Sequence, residues 1–294
     1  MKPAPFDYHA PESVADVVAL LGEYGDEAKV LAGGQSLVPM LALRLTRFEH
    51  LVDITRVAEL QGITRANGSL RIAAATPQAV AEHEPLVGET APLLGRAIPH
   101  IGHFQIRNRG TVGGSLAHAD PASELPAVAL ALGATFEAAG PSGSREIAAS
   151  EFFTGTWETA LADDEVLVAT RFPVWEGRVG FGFGEVARRS GDFALAGVAA
   201  AVELDGDDRI TRAAVGLFGV GSMPVRAPST EAAITGQPAR TEEVRDAVKG
   251  AALAGASELE TVDDVHATSS YRRRVAAHLM ETALDAAIEE ARGV

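Results

Sequence analysis

The sequence predicts an α+β protein, with α/β units in its first part and an antiparallel sheet covered by helices in its last part. Up to about residue 175, short apolar runs typical of strands alternate with segments whose apolar residues recur at a helical period. Glycine pairs lie between an apolar run and the helix that follows it. A long hairpin pattern appears only after that point. We therefore expect a first domain over 1–175, with subdomains of about 1–55 and 56–175, and a second domain over 176–294.

The first subdomain opens on a helix with a clear start. Ser13 and Asp16 have the spacing of a capping box, apolar residues follow at a helical period, and Gly25 ends the pattern. The expected elements are a helix over 13–24, a strand over 29–32, a helix over 38–45 and a strand over 50–54.

The second subdomain consists of shorter strands and connecting helices. Gly133 marks the end of its last helix, and Pro173 closes its last strand. The expected strands cover 69–74, 135–139 and 165–172, and the expected helices cover 77–83, 85–98 and 124–132.

In the last part of the chain, the glycines at 177, 180, 182 and 184 are expected to break the regular pattern. Two β runs over 193–204 and 209–220 follow, joined by the turn Asp205-Gly206-Asp207-Asp208, and they predict a hairpin. Helices are expected over 242–254 and 269–292.

Composition excludes several functions. The net charge of −15 argues against nucleic-acid binding, and Arg272 to Arg274 are interpreted as a solvated helix face or an interface patch. No apolar run approaches a membrane span and the N-terminus has no secretory pattern, so we expect a cytoplasmic protein. With no cysteine, this chain alone supplies no thiolate nucleophile, cysteine zinc site or iron–sulfur ligand.

The candidate site is a dinucleotide cradle. In the stretch 106–126, Gly113 and Gly114 are expected to adopt positive φ and to let phosphates approach the main chain. A second glycine pair, Gly33-Gly34, follows the apolar run of 29–32; taken alone, this pair favours a plain βα turn, and only the other pair makes it a second part of the cradle. Hydroxyls and other polar groups for a ribityl or ribose chain come from Thr111, Ser115, His118, Asp120 and Glu124.

Rival interpretations of the same residues are weaker. Ser115, His118 and Asp120 would form a hydrolytic triad only if they converged around an activated nucleophile, which three neighbours in one loop rarely do. His100 and His103 lack further ligands at metal-binding spacing. Trp157 and Trp175 are expected in the core rather than at a partner surface.

Three segments together resemble one family. AGGQSL at 32–37, IGHFQIRNRGTVGGSLAHADPASELPA at 101–127 and RRSGDFALAG at 188–197 stand in the order and approximate spacing of the flavin-carrying medium subunit of molybdenum hydroxylases. The chain is similar throughout its length to the carbon monoxide dehydrogenase type of this subunit, within the wider xanthine dehydrogenase family.

The resemblance implies FAD held between two α/β subdomains of the PCMH, or vanillyl-alcohol-oxidase-like, fold, with the C-terminal domain packed over the flavin side. Two departures stand out, because relatives often carry Tyr where Phe193 stands, and the xanthine dehydrogenase type has Lys near Gly184-Glu185. The implied cofactor-binding residues are Val30, Leu31, Ala32, Gly33, Gly34, Gln35, Ser36, Leu37, Thr111, Gly113, Gly114 and Ser115 at the pyrophosphate, His118, Asp120 and Glu124 at the polar chain, and Ile101, Ile106, Leu167 and Phe193 at the rings.

The resemblance also implies partners: a small subunit with iron–sulfur clusters, a large subunit with molybdopterin, and a dimer of the resulting heterotrimers. This chain would pass electrons from FAD to an external acceptor, with no catalytic acid or base and no metal of its own. The alternatives are a self-contained FAD-dependent reductase of the same fold and an assembly subunit that has lost flavin. Intact glycine pairs are expected to argue against that loss.

Overall fold

The computed structural model describes residues 2–239 and 242–293. The chain begins with a small parallel sheet of strand order β1-β3-β2, against which one helix packs Val17 and Leu21. The Ser13 hydroxyl accepts a hydrogen bond from the Asp16 amide at 3.1 Å, which confirms the predicted helix start. The elements are β1 (Asp7–His9), α1 (Val14–Tyr24), β2 (Ala28–Leu31), α2 (Leu37–Ala42) and β3 (His50–Asp53).

A five-stranded antiparallel sheet of order β4-β5-β10-β6-β7 forms the second unit, and the largest apolar core cluster packs against it. Gly133 adopts the left-handed conformation at the end of α8, as predicted. The elements are β4 (Ile63–Ala66), β5 (Ser69–Ala73), α3 (Gln78–His83), α4 (Pro85–Thr90), α5 (Pro92–Ala97), α6 (Phe104–Arg107), α7 (Val112–His118), α8 (Glu124–Leu132), β6 (Thr135–Gly140), β7 (Gly143–Ala148), α9 (Ala149–Phe152), β8 (Phe153–Gly155), β9 (Glu158–Thr159) and β10 (Val166–Pro173).

The single helix expected over 85–98 is wrong, because the segment forms two short helices and a 3-10 turn. Ala91 leaves the helical region with φ −138° and ψ 63°, and Pro92 starts the next helix. Proline lacks the amide proton that a continuous helix needs, and it disfavours helical geometry in the residue before it.

The third unit is a four-stranded antiparallel sheet of order β11-β12-β13-β14, and its hairpin confirms the predicted pair of β runs. One long helix, α12, packs along this sheet. Across the described residues, none of the helices has the length and apolar character needed to cross a bilayer. The elements are β11 (Arg178–Ala187), β12 (Ala194–Leu204), β13 (Ile210–Phe218), β14 (Val225–Arg226), α10 (Pro228–Ile234), α11 (Glu242–Glu258) and α12 (Ser269–Arg292).

The expected break at the glycines of 177–184 is also wrong, because three of them lie inside β11. A Cβ on Gly182 would stand 2.6 Å from the carbonyl carbon of Ala283, and one on Gly180 would stand 2.6 Å from the Ala291 amide nitrogen. Both neighbours belong to the α12 backbone. The glycines alternate along the strand so that the helix can approach the sheet closely.

Arg272 corrects the prediction of a solvated arginine face. Its side chain is buried, with 4% of the residue exposed, and it donates hydrogen bonds to the carbonyl oxygens of Leu195 at 2.6 Å and Gly219 at 2.5 Å. The Asp264 carboxylate lies 2.6 Å away and balances the charge. Arg272 therefore ties α12 to the ends of β12 and β13.

Candidate functional site

The two predicted glycine segments lie against each other. A Cβ on Gly33 would stand 2.6 Å from the Gly110 Cα, and a Cβ on Gly114 would stand 3.1 Å from the Ala32 Cβ. Contacts below 3.0 Å essentially never occur for a real Cβ. The absence of a side chain at Gly33 therefore allows the main chain of 32–37 to touch the main chain of 109–110.

The turn 33–36 presents a row of unused amide groups. Gly34 has φ +72°, in the left-handed region that favours glycine. Its carbonyl oxygen accepts a hydrogen bond from the Val38 amide at 3.1 Å. Within 2–239 and 242–293, no acceptor takes a hydrogen bond from the amide of Gly33, Gly34, Gln35 or Ser36. Successive free amides in such a turn form an anion-binding nest, and a diphosphate fits it in charge and in hydrogen-bonding role.

The second segment differs from the prediction in its main chain. Gly113 and Gly114 lie in the first turn of α7 and neither has positive φ. Their amides already donate to the Ala74 carbonyl and the Thr111 hydroxyl, both at 2.9 Å, and the Ser115 amide donates to the Thr111 carbonyl at 3.1 Å. Thr111 is 3% exposed, so a ligand at this segment would meet the half-buried Ser115 rather than Thr111 or free amides of 113–115.

Gly113 has a packing role of its own. A Cβ at this position would lie 2.5 Å from the Ala74 Cα and 2.6 Å from the Ala74 carbonyl oxygen. The residue is buried where α7 crosses the end of β5. Glycine at position 113 would consequently be needed for folding whether or not a cofactor binds.

His118 and Asp120 lie together under an exposed tryptophan. The Trp157 ring is parallel to the His118 ring, with centroids 6.3 Å apart, and its indole N–H donates to Asp120 Oδ2 at 3.1 Å. Burial lowers the pKa of His118, although the Asp120 charge opposes the shift. No hydrogen bond joins His118 to Ser115 in the described part of the chain.

Trp157 itself departs from the core prediction, which holds only for Trp175. Trp157 is 57% exposed, whereas Trp175 is 6% exposed. Trp157 has φ +59° and its amide donates to the carbonyl of Ala119, which has φ +51°. Two non-glycine residues in the left-handed region store backbone strain next to His118.

Glu124 lies at the start of α8 in a buried position, with 8% of the residue exposed. Burial raises the pKa of Glu124 to about 8, and the charges of Glu185 and Asp120 add to the rise. Glu185 lies on β11, and its Oε1 atom is 3.3 Å from the ring nitrogen Nδ1 of His100. The hydrogen bond that His100 donates to the Glu185 carboxylate raises the pKa of His100, which burial alone would lower.

Glu185 is a residue that the sequence identified only as a departure from relatives. The sequence predicted a break at the neighbouring glycines and gave no signal for Glu185; in the structure, strand alternation puts Glu185 on the face opposite to Gly182 and Gly184 and on the same face as Phe183. The Phe183 ring lies 4.9 Å from the His100 ring, centroid to centroid. The described residues contain no group of three or more side chains suited to a metal ion.

The residues predicted at the flavin rings have different environments. Phe193 is 67% exposed, and Ile101 and Ile106 are half-buried. A Cβ on Gly191 would stand 2.6 Å from a ring carbon of His103, so the loop before Phe193 lies over the segment that contains Ile101 and Ile106. Leu167 is 4% exposed inside the core, which leaves little of it for a ring to contact.

Comparison with known proteins agrees with this geometry. Residues 4–175 match the family model for the FAD binding domain in molybdopterin dehydrogenase, and residues 182–287 match the CO dehydrogenase flavoprotein C-terminal domain. The chain is 38% identical to the carbon monoxide dehydrogenase medium chain of Hydrogenophaga pseudoflava, over 98% of both chains. It is 37% identical to the alpha subunit of the 6-hydroxypseudooxynicotine dehydrogenase complex of Paenarthrobacter nicotinovorans, over 99% of this chain and 97% of that one.

A solved structure shows the same fold. The match is to carbon monoxide dehydrogenase from Hydrogenophaga pseudoflava, with a TM-score of 0.94, 39% identity and 99% of each chain covered. The α+β architecture and the FAD-binding fold predicted from sequence are thereby confirmed. With family models matching both its parts and curated relatives aligned over nearly its whole length, the chain belongs to the family of FAD-binding medium subunits of molybdopterin dehydrogenases.

Proposed function

We propose that this chain is the FAD-carrying electron-transfer subunit of a molybdenum hydroxylase. The observation that carries the proposal is the row of four amides at 33–36 without an acceptor in the described protein, closed on one side by residues 109–115. A diphosphate-bearing cofactor would accept hydrogen bonds from these amides and would match them in charge.

Each part of the site has a role in holding the cofactor. The amides of 33–36 would hold the diphosphate, Ser115 would lie beside it, the buried Thr111 would support the segment that carries Ser115, and the exposed Phe193 ring would shield the flavin. When bound, FAD accepts electrons singly and releases them singly or in pairs. The protein only has to hold the flavin, shield it and set its potential.

The remaining redox groups belong to partners. The chain has no cysteine, so iron–sulfur clusters that feed the flavin must be bound elsewhere, on a small subunit. The two relatives compared above are each named as one chain or subunit of a larger dehydrogenase. We infer a heterotrimer with an iron–sulfur small subunit and a molybdopterin large subunit, doubled into a dimer, that delivers electrons to an external acceptor.

Two further parts of the proposal concern organisation and location. We divide the chain into an FAD-binding domain over 1–175, with subdomains of about 1–55 and 56–175, and a C-terminal flavoprotein domain over 176–294; the two family matches support this division. We also propose a cytoplasmic location, which fractionation of the native host would test.

The purified chain tests the function directly. We expect a yellow protein that holds about one FAD per chain, or that takes up added FAD after purification. A self-contained reductase would oxidise NADH or NADPH by itself, whereas the proposed subunit needs its partners to receive electrons. A colourless protein that takes up no FAD would contradict the proposal and favour a flavin-free assembly subunit.

A further inference from the structure

A largely buried ion pair joins α6 to α3 beside the proposed flavin site. The guanidinium of Arg107, at the end of α6, donates two hydrogen bonds to the carboxylate of Glu82 on α3, from Nε to Oε2 at 2.7 Å and from Nη2 to Oε1 at 3.0 Å. The Arg107 side chain is 11% exposed and the Glu82 side chain 16% exposed. Paired hydrogen bonds of this kind fix the relative orientation of the two planar groups.

The third nitrogen of Arg107 binds the turn 99–102. Nη1 lies 3.3 Å from the carbonyl oxygen of Pro99, 3.1 Å from that of Ile101 and 3.4 Å from that of Gly102. These carbonyls belong to the end of the 3-10 turn over 98–100 and to the residues that follow it. Carbonyls at the end of a helical segment have no amide partner within it, and Arg107 provides the donor instead.

Helix α3 also holds the other end of this segment. The amide of Gln78, at the start of α3, donates a hydrogen bond to the carbonyl oxygen of Gly110 at 2.8 Å. Segment 99–110 is therefore attached to α3 at two points, directly through Gln78 and through the ion pair of Glu82 with Arg107.

Segment 99–110 contacts two other parts of the proposed site. Gly110 lies against the turn 33–36, which presents the free amides. The ring of His103 lies against Gly191, in the loop after β11. A shift of this segment would therefore disturb both the diphosphate turn and the loop that precedes the exposed Phe193.

On the basis of the proposed FAD site, we propose that Arg107 is a positioning residue for the flavin. Through Glu82 it holds segment 99–110 on α3, and the segment in turn sets the distance between the turn 33–36 and the loop after β11. The role is indirect, because all three guanidinium nitrogens of Arg107 donate to acceptors of the protein.

The substitution Arg107→Lys in the full chain tests this role. Lysine keeps a positive charge beside Glu82, but its single ammonium group lacks the planar fork that reaches the carboxylate and the three carbonyls together. We expect the dissociation constant of FAD to rise by about tenfold, which is the scale of one lost hydrogen bond to a charged group. The visible absorption bands of the bound flavin should also shift, because the surroundings of the ring change.

Arg226→Lys is the matched control. Arg226 likewise donates two hydrogen bonds to one carboxylate, that of Glu231, at 2.7 Å each, and its Nη1 donates to the carbonyl oxygen of Leu130 at 3.1 Å. The same chemical change at this second pair should lower the melting temperature. It should leave the dissociation constant and the spectrum of bound FAD at their wild-type values.

Hydrogen exchange of the chain without FAD gives an independent measurement. Amides over 99–110 should exchange faster in Arg107→Lys than in the wild type, and Arg226→Lys should match the wild type in this segment. Glu82→Gln keeps one acceptor oxygen for Arg107, so it should show smaller changes of the same sign in exchange and in FAD affinity. This variant decides the question if Arg107→Lys does not fold.

Wild-type FAD affinity and spectrum in Arg107→Lys, combined with faster exchange over 99–110, would reduce Arg107 to a structural residue and overturn the inference. Unchanged exchange over 99–110 would contradict it as well, because the segment would then not depend on the ion pair. An equal loss of affinity in Arg226→Lys would attribute the effect to general destabilisation. Failure of the proposed function gives a different result, because the wild type itself would bind no FAD, while exchange would still report whether Arg107 holds the turn.

Discussion

The substitution Gly33→Ala tests whether contact between the two glycine segments positions the free amides. The new Cβ would lie 2.6 Å from the Gly110 Cα and 2.8 Å from the Arg109 carbonyl carbon, inside the 3.0 Å limit for real contacts. Both neighbours are backbone, so rotation of a side chain cannot relieve the clash. The turn 33–36 must move away from 109–110 by several tenths of an ångström.

Overpacking of this kind costs about 1–3 kcal/mol. If the cost falls on the liganded arrangement of the turn, FAD affinity drops by about 5-fold to 150-fold, since 1.4 kcal/mol corresponds to a factor of ten. FAD content per chain and the dissociation constant, from flavin fluorescence quenching, measure this effect. Gly22→Ala is the matched control, because Gly22 lies in α1 and a Cβ added there would have nothing within 4 Å.

Two outcomes separate a positioning role from a purely structural one. A loss of FAD affinity with a melting temperature close to that of Gly22→Ala supports the positioning role. A variant that melts at a lower temperature but binds FAD as tightly as the wild type would refute the reasoning, since the amides would then be held correctly without the close contact.

Two further predictions concern stability. Gly182→Ala should lower the free energy of unfolding in urea by about 1–3 kcal/mol, because the new Cβ would lie 2.6 Å from the Ala283 carbonyl carbon of α12. The control Gly206→Ala lies in an open turn and should change the free energy little. Equal urea midpoints for the two variants would contradict the close-packing explanation. Burial raises the pKa of Glu137, but hydrogen bonds and charge from Arg71, with the charge of Arg171, lower it more, so the folded pKa lies below the unfolded value. The stability that ionised Glu137 contributes is complete above its unfolded pKa and is lost as the pH falls through its folded pKa. Thermal melts of Glu137→Gln should therefore lack this acid dependence. A Glu137→Gln protein with the wild-type pH profile would refute the assignment.

Local signals predicted several elements closely. Helix α1 begins one residue after its predicted capping serine and ends at the predicted Tyr24, because the Ser13 cap and Gly25 are local features that packing did not override. Helices α8 and α12 match their predicted limits, 124–132 and 269–292. Hydrophobic period and caps act within a few residues, so the sequence alone contains them.

Tertiary contacts explain most of the errors. In the sequence, the glycines of β11 look like the end of regular structure. In the structure, they alternate along the strand and make room for a helix about a hundred residues later in the chain. Arg272 resembles a surface residue until Leu195 and Gly219 provide buried acceptors. The pairing of His100 with Glu185 joins residues 85 positions apart, and no local pattern in the sequence indicates it.

The glycine pairs carry less functional information than the sequence suggested. Gly33 and Gly113 are packed against protein backbone, so a chain that had lost flavin would still need glycine at both positions to fold. Their presence therefore does not separate an FAD-binding subunit from a flavin-free one. The amides of 33–36 point to an anion more directly, because they have no acceptor among the described residues and the close packing of the glycines does not explain them. In this chain, the hydrogen-bonding state of that turn is therefore more informative about a bound diphosphate than the glycine motif is.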